Sequence, residues 1–558
     1  MASPRRSAGT SLLPPTPAPF VWDLRQSHSI EPPATPLTRL YGLMHDNAHR
    51  IGPDSLTREQ VVEVARGRAR VELTQHAEHG IATTRKHIEA LAADPHPTYG
   101  VSTGFGALAV RHIPGDRRAA LQQSFVRSHA AGAGPEVEAE VVRALMLLRL
   151  RTVATGRTGV RLETAHALLA MLNAGIVPVV HEFGSLGCSG DLAPLASVAL
   201  ALTGEGEVTD AQGVRRPAAE ALAEAGIEPV VLAEKEGLAL TNGTDGMLGM
   251  LVLAQHDLAA LLDVADVTAA MSVEALLGTD RVFAADLHRL RPHPGQAVSA
   301  ARMAAVLADS PIVASHRGPD CNRVQDAYSL RCAPQVHGAA RDAVAYSETV
   351  ADRELAAAID NPVVLDDGRV ESNGNFHGAP LAHALDFLAI PLTDVASMAE
   401  RRTDRMLDVA RSHGLPAFLA DDPGVDSGHM IAHYTQAGVV SELKRLAVPA
   451  SVDSIPTSAM QEDHVSMGWH AARKLRRAVD GLTTVLAVEL LTAARALDLR
   501  APLEPAPATA AVRDLLRTRV GGPGPDRHIA PEIAATAELV RSGAVREAVA
   551  KYTAGAHE

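Results

Sequence analysis

The chain has 558 residues, 46% of them hydrophobic and 21% charged, which is ample apolar surface for a large core without staples and more chain than one ordinary core holds. A formal net charge of −13 argues against a nucleic-acid or anionic-membrane surface and is compatible with small-molecule chemistry. Cys188, Cys321 and Cys332 are too few for a disulfide framework, so the composition points to a reducing, cytoplasmic setting.

Residues 1–45 carry Arg5-Arg6 and then Leu12-Leu13-Pro14-Pro15-Thr16-Pro17-Ala18-Pro19. The prolines break the apolar stretch that an export signal needs, so a disordered extension is expected. No run approaches the roughly 18 uninterrupted apolar residues of a membrane span, and no internal repeat is visible. Helical periodicity begins near Ser55, where Ser55 and Glu59 suit a helix start. Pro95, Pro97 and Gly100 interrupt it around Tyr99-Gly100-Val101-Ser102-Thr103-Gly104-Phe105-Gly106, which sets two aromatics among glycines in a chain only 3% aromatic. Alone, Tyr99 reads as a loop-packing residue. Leu121-Gln122-Gln123 leads to Ser128-His129, and His129 is one of 25 histidines, ordinarily a surface or core residue.

Gly184-Ser185-Leu186-Gly187-Cys188-Ser189-Gly190-Asp191 is too rich in glycine for a regular helix or strand. It reads as a Gly-rich turn or as a reactive loop. In the second reading the Gly190 amide nitrogen approaches the Cys188 carbonyl carbon, as only glycine permits. Ring closure with loss of two waters, one through the Ser189 hydroxyl, would give a 4-methylideneimidazol-5-one, an electrophile that none of the twenty side chains supplies.

Asn242-Gly243 reads as a turn before a helical pattern containing Met247, Leu248, Met250 and Leu251. Gln325, Tyr328 and Arg331 are spaced to share one side of a helical turn, and the Arg331 fork suits either a carboxylate ligand or a salt bridge. Asp360-Asn361-Pro362 and Ser372-Asn373-Gly374-Asn375-Phe376-His377-Gly378 follow, with Phe376 either a site residue or simple core. In Gln461-Glu462-Asp463-His464, Glu462 is either a partner for a desolvated polar ring or part of a solvated helix start capped by Ser458. From Val465 to about Arg500, Leu475, Val479, Leu482, Leu486, Leu490, Ala493 and Leu497 recur every three or four residues, the stripe of a bundle helix. Similar patterns at 341–358, 380–411 and 430–447 predict a mainly α protein of long antiparallel helices joined by motif-bearing loops. The expected division is an extension over 1–45, a domain over 46–255 with the reactive loop, a central bundle over 256–520 and, after the break from Gly521 to Pro525, a tail over 521–558.

These segments, from about Tyr99 to Leu499, resemble the aromatic amino acid ammonia-lyase family. Gly184 to Ala196 is similar to its prosthetic-group segment, with Cys188-Ser189-Gly190 where the family usually has Ala-Ser-Gly; the backbone atoms and serine that form the ring are kept. Tyr99 falls on the family's proposed catalytic base and Asn242 beside the ring. Gln325, Tyr328 and Arg331 lie in another signature, Arg331 toward the substrate carboxylate. Members acting on phenylalanine or tyrosine tend to carry Phe-Leu or His-Leu where this chain has Ser128-His129, and the former have Gln-Asp-Val-Asn near Glu462. His129 and Glu462 therefore resemble the histidine-specific members. Departures are Ala356-Ala357, where Asn-Ser is common, and Asn373 in place of a glycine.

The resemblance implies a fumarase/aspartase-like helical fold and a homotetramer whose sites draw on three subunits. It also implies elimination of ammonia from L-histidine to trans-urocanate, with no metal, no dissociable cofactor, and a Tyr99 pKa lowered by its surroundings. A phenylalanine or tyrosine lyase, an aminomutase and an inactive scaffold are the competing readings.

Overall fold

Long apolar stripes produce five central helices, Asp245–Ala275, Ala333–Ala356, Ala379–Leu407 (which continues through Pro391), Met430–Leu446 and Gly468–Asp498. They belong to a computed structural model that describes residues 48–318, 321 and 324–555; the extension expected over 1–45 lies outside the described residues. The Gly468–Asp498 helix buries Leu475, Val479, Leu482, Leu486, Leu490, Ala493 and Leu497. That stripe packs on Ala379–Leu407, Asp245–Ala275 and Met430–Leu446. The helix begins at Gly468 rather than Val465 because Met467, at φ 53, takes a left-handed conformation that no helix continues through.

Two helical segments, Glu236–Ala275 and Ala379–Leu407, are long and apolar enough to cross a membrane, yet their most apolar windows are 78% and 61% buried within the fold. They are core helices of the bundle. A fully buried ion pair, Arg402–Glu489, joins Ala379–Leu407 to Gly468–Asp498 with Nε–Oε1 at 2.5 Å. Thr268 and Ser272 of Asp245–Ala275 donate hydroxyls to the same carboxylate at 2.7 and 2.8 Å. Each lone pair of this desolvated charge thus meets a donor, as burial requires.

Ahead of the bundle, Arg58–Ala65 starts at Thr57, not Ser55, because Thr57 and Gln60 form a reciprocal capping box. Gln75–Ala93, Arg118–His129, Ala139–Ala154, Leu162–Asn173 and Leu192–Leu202 follow, with short two- and three-stranded sheets between them. Residue 255, where a domain boundary was expected, lies within the continuous Asp245–Ala275 helix. Ala530–Arg541, in the expected tail, packs on Gly468–Asp498.

Candidate active site

The 184–191 loop is clamped from three sides. Gly187 O accepts from Gly378 N at 2.9 Å and from the Ser466 hydroxyl at 2.5 Å, while Met467 N donates to Leu186 O at 2.8 Å. Asp191 N donates to Gly243 O at 2.7 Å. The Asp191 carboxylate accepts from the Ser185 hydroxyl and from the Gly246 and Met247 amides, buried first-turn N–H groups of the Asp245–Ala275 helix that have no partner within the helix. Burial nevertheless pushes the Asp191 carboxyl up to about 7, against the Met247 and Ser185 hydrogen bonds. Under the 242–243 turn, the buried Arg149 guanidinium pairs with Asp245 at 2.6 Å and donates to the carbonyls of Ala239 and Asn242.

This clamping gives the tripeptide an unusual backbone. Ser189 has φ 51 and Gly190 φ 90. A Cβ on Gly190 would lie 2.2 Å from Gly243 N, so the close approach admits glycine alone. Asn242 Nδ2 donates to Ser189 O at 3.0 Å, while Asn242 Oδ1 is buried without a hydrogen-bond partner among the described residues.

Above the tripeptide lies a cavity of about 1010 Å³ lined by Tyr99, His129, Cys188, Ser189, Asn242, Phe376 and Glu462, among others. His129 ends the Arg118–His129 helix. Its Nδ1 donates to Phe125 O at 2.9 Å, because a carbonyl can only accept, and its ring lies on Phe125 with centroids 3.8 Å apart. Nε2 is then the acceptor of the neutral ring. Burial lowers the His129 pKa, against the Phe125 carbonyl and the Glu462 charge.

Glu462 is held by a two-residue bridge to Thr457, with N···O distances of 3.0 and 3.3 Å. Ser458, at φ 53, caps no helix, which removes the solvated-helix-start reading of Glu462. Tyr99 OH accepts from Gly106 N at 3.3 Å. Its phenol is raised by burial, with Gly106 opposing and the Glu462 and Asp360 charges adding to the rise. Within the chain the shift therefore runs opposite to the expected lowering, because burial dominates and the Glu462 and Asp360 carboxylates add to it.

The aromatic amino acid lyase family model matches residues 56–518. The chain belongs to the aromatic amino acid lyase family. Histidine ammonia-lyase of Streptomyces coelicolor is 65% identical over 88% of this chain and 96% of its own length, and that of Anaeromyxobacter dehalogenans is 49% identical over 88% and 98%. Among solved structures, histidine ammonia-lyase from Trypanosoma cruzi superposes with a TM-score of 0.83 at 38% identity, covering 91% of this chain and 96% of that one. Tyrosine aminomutase from Streptomyces globisporus gives 0.85 at 37% identity, covering 90% and 99%.

Not every residue that the lyase resemblance singled out reaches this cavity. Gln325, Tyr328 and Arg331 do not line it. Gln325 precedes the helix, which spans only Tyr328–Arg331, so the three do not share one helical turn. Tyr328 is 70% exposed, and the Arg331 guanidinium lies over its ring at 4.7 Å. Of the two departures from the lyase pattern, one has a structural role. Asn373 Nδ2 donates to Asp360 O at 3.0 Å while its amide donates to Asn361 Oδ1 at 3.0 Å, tying the 360–362 and 372–378 segments together. The main-chain carbonyls of Ala356 and Ala357 accept from Arg151, a contact any residue there would keep, so nothing in the structure explains the two alanines.

Sequence reasoning missed Phe125, whose ring supports His129, and the His377–His464 pair, stacked in the cavity wall with centroids 5.7 Å apart. Adjacency to Phe376 and Glu462 was the available signal. Among the described residues no group of three or more His, Cys, Asp or Glu side chains is arranged for a metal ion.

Proposed function

We propose that the chain acts as a histidine ammonia-lyase, eliminating ammonia from L-histidine to give trans-urocanate. The observation that carries this reading is the meeting of His129, Glu462 and Tyr99 with the strained Cys188-Ser189-Gly190 segment around one cavity. Relatives at 65% and 49% identity bear the same activity in their names.

The tripeptide suits a 4-methylideneimidazol-5-one. The Gly190 cradle would be filled by any Cβ, and the unpartnered Asn242 Oδ1 and engaged Nδ2 frame the ring position. When formed, that ring supplies an electrophilic methylidene carbon for the substrate nitrogen.

The chain's own residues account for the rest. His129 Nε2 and the Glu462 carboxylate are both acceptors, so together they suit an imidazolium with two N–H groups, and a cationic ring acidifies the neighbouring β-carbon. A phenyl ring would leave both acceptors desolvated without partners, which disfavours phenylalanine. Tyr99 as phenolate takes the β-proton. Arg331, carried by a second subunit of a homotetramer, holds the substrate carboxylate in a bidentate fork. Three cysteines, all free, accord with a cytoplasmic protein.

A parallel incubation with L-histidine, L-phenylalanine and L-tyrosine, assaying urocanate, the cinnamates and β-amino acids, tests the reading. Urocanate should dominate. Cinnamate or a β-amino acid as the principal product would transfer the chain to the phenylalanine and tyrosine lyases or the aminomutases.

A further inference from the structure

Cys188 stands where the family usually has alanine, and nothing in the sequence gives its side chain a role. In the fold the thiol sits in the cavity wall, 4% exposed and packed with Val465 and Met467. Its Sγ lies 3.4 Å from Glu462 Oε2. The contact therefore links the 184–191 loop to the loop that carries the imidazole-facing carboxylate.

Two observations give this link weight. Among the described residues no arginine, lysine or histidine forms an ion pair with Glu462, while its backbone amide and carbonyl are committed to Thr457, so the thiol is the one side-chain donor given to its carboxylate. Burial, reinforced by Glu462, pushes the thiol up to about 12, which keeps it protonated and hence a donor at neutral pH. A half-buried carboxylate without a fixed donor would swing among rotamers or turn toward water.

We propose that Cys188 is a positioning residue for substrate selectivity: its thiol donates to Glu462 Oε2, fixes the carboxylate over the 188–190 segment and leaves Oε1 to accept an N–H of the substrate ring. This rests on the histidine reading above. An alanine at 188 preserves the backbone and the serine, so it separates the thiol's role from ring formation.

The test compares the full-length wild type with Cys188→Ala and Cys188→Ser, alone and in a Glu462→Gln background. Intact mass reports the two-water deficit, steady-state kinetics give kcat and KM for L-histidine, and calorimetry gives the affinity for imidazole. Cys188→Ala should keep the mass deficit, raise KM and weaken imidazole binding by about three- to tenfold, and change kcat less, as loss of one hydrogen bond from a weak thiol donor dictates. Cys188→Ser, which restores a donor, should recover most of the loss. In the Glu462→Gln background the alanine change should have little further effect.

A Cys188→Ala protein equal to wild type in KM and imidazole affinity overturns the proposal while histidine turnover upholds the functional reading. So does an alanine effect that persists undiminished beside Glu462→Gln, or one accompanied by loss of the mass deficit. A wild type without histidine turnover brings down both.

Discussion

Ser189 and Gly190 share a strained stretch that glycine alone completes, and this makes a mass prediction at the scale of single residues. Active protein should weigh two waters less than its sequence, and Ser189→Ala should show the full sequence mass and lose activity by orders of magnitude. A full mass in active wild type removes the prosthetic ring from the account. Tyr99 predicts a pH profile. An acid whose pKa is raised has less of its ionised form at neutral pH, so a phenolate base makes kcat, which reports the complex already holding the imidazolium, climb between about pH 7 and about pH 9. His129 does not oppose that limb, because its lowered pKa keeps it neutral throughout. Tyr99→Phe should abolish the limb and cost about 10²–10⁴ in kcat/KM; a rate that falls across this range would remove Tyr99 as base.

Between elements, buried charges do the joining. Arg402→Met leaves Glu489 charged and unpaired among three helices, which should cost about 3–5 kcal/mol, read as a shift in the urea midpoint. Adding Glu489→Gln removes the orphaned charge and keeps one acceptor oxygen, while its amide NH2 can donate to the other of the Thr268 and Ser272 hydroxyls, so much of the loss should return. The Ala379–Leu407 and Met430–Leu446 helices are joined by Glu400 and His433 at 2.6 Å. Burial raises the Glu400 carboxyl, but the His433 and Arg401 contacts outweigh it and bring it down to about 2. Because the folded pKa is depressed, this pair stabilises the fold above the unfolded value of 4.5 and stops doing so as pH falls toward 2. Glu400→Gln should lower thermal stability at neutral pH and flatten its decline in that acid window.

For the whole molecule, the placement of Gln325, Tyr328 and Arg331 away from the chain's own cavity predicts a composite site. Tyr99→Phe and Arg331→Ala should each be nearly inactive as homo-oligomers. Co-expressed, they should regain a fraction of wild-type turnover, because some sites then combine an intact Tyr99 with an intact Arg331 from a neighbour. Sedimentation should give a tetramer of about four chain masses. Absence of complementation in mixed tetramers would return Arg331 to a structural role over Tyr328.

The class of fold was legible because a three-to-four-residue apolar repeat has one efficient burial, the interior of a helical bundle, and Leu475 to Leu497 occupy that stripe as read. The irregular glycine-rich backbone of 184–191 was legible for a different reason, since residue type displays it directly, whereas the roles proposed for Cys188-Ser189-Gly190 and Tyr99 came from the family resemblance. Helix starts were read less well, since Thr57 rather than Ser55 caps the first and Met467 delays the last, both decided by hydrogen bonds and φ angles that composition does not encode. Tertiary structure alone set Phe125 under His129, the thiol of Cys188 against Glu462, and carboxylates beside Tyr99. These contacts join residues distant in the chain, Cys188 and Glu462 lying 274 positions apart, and only the closing of the chain around the cavity determines which charges and donors share its low-dielectric space.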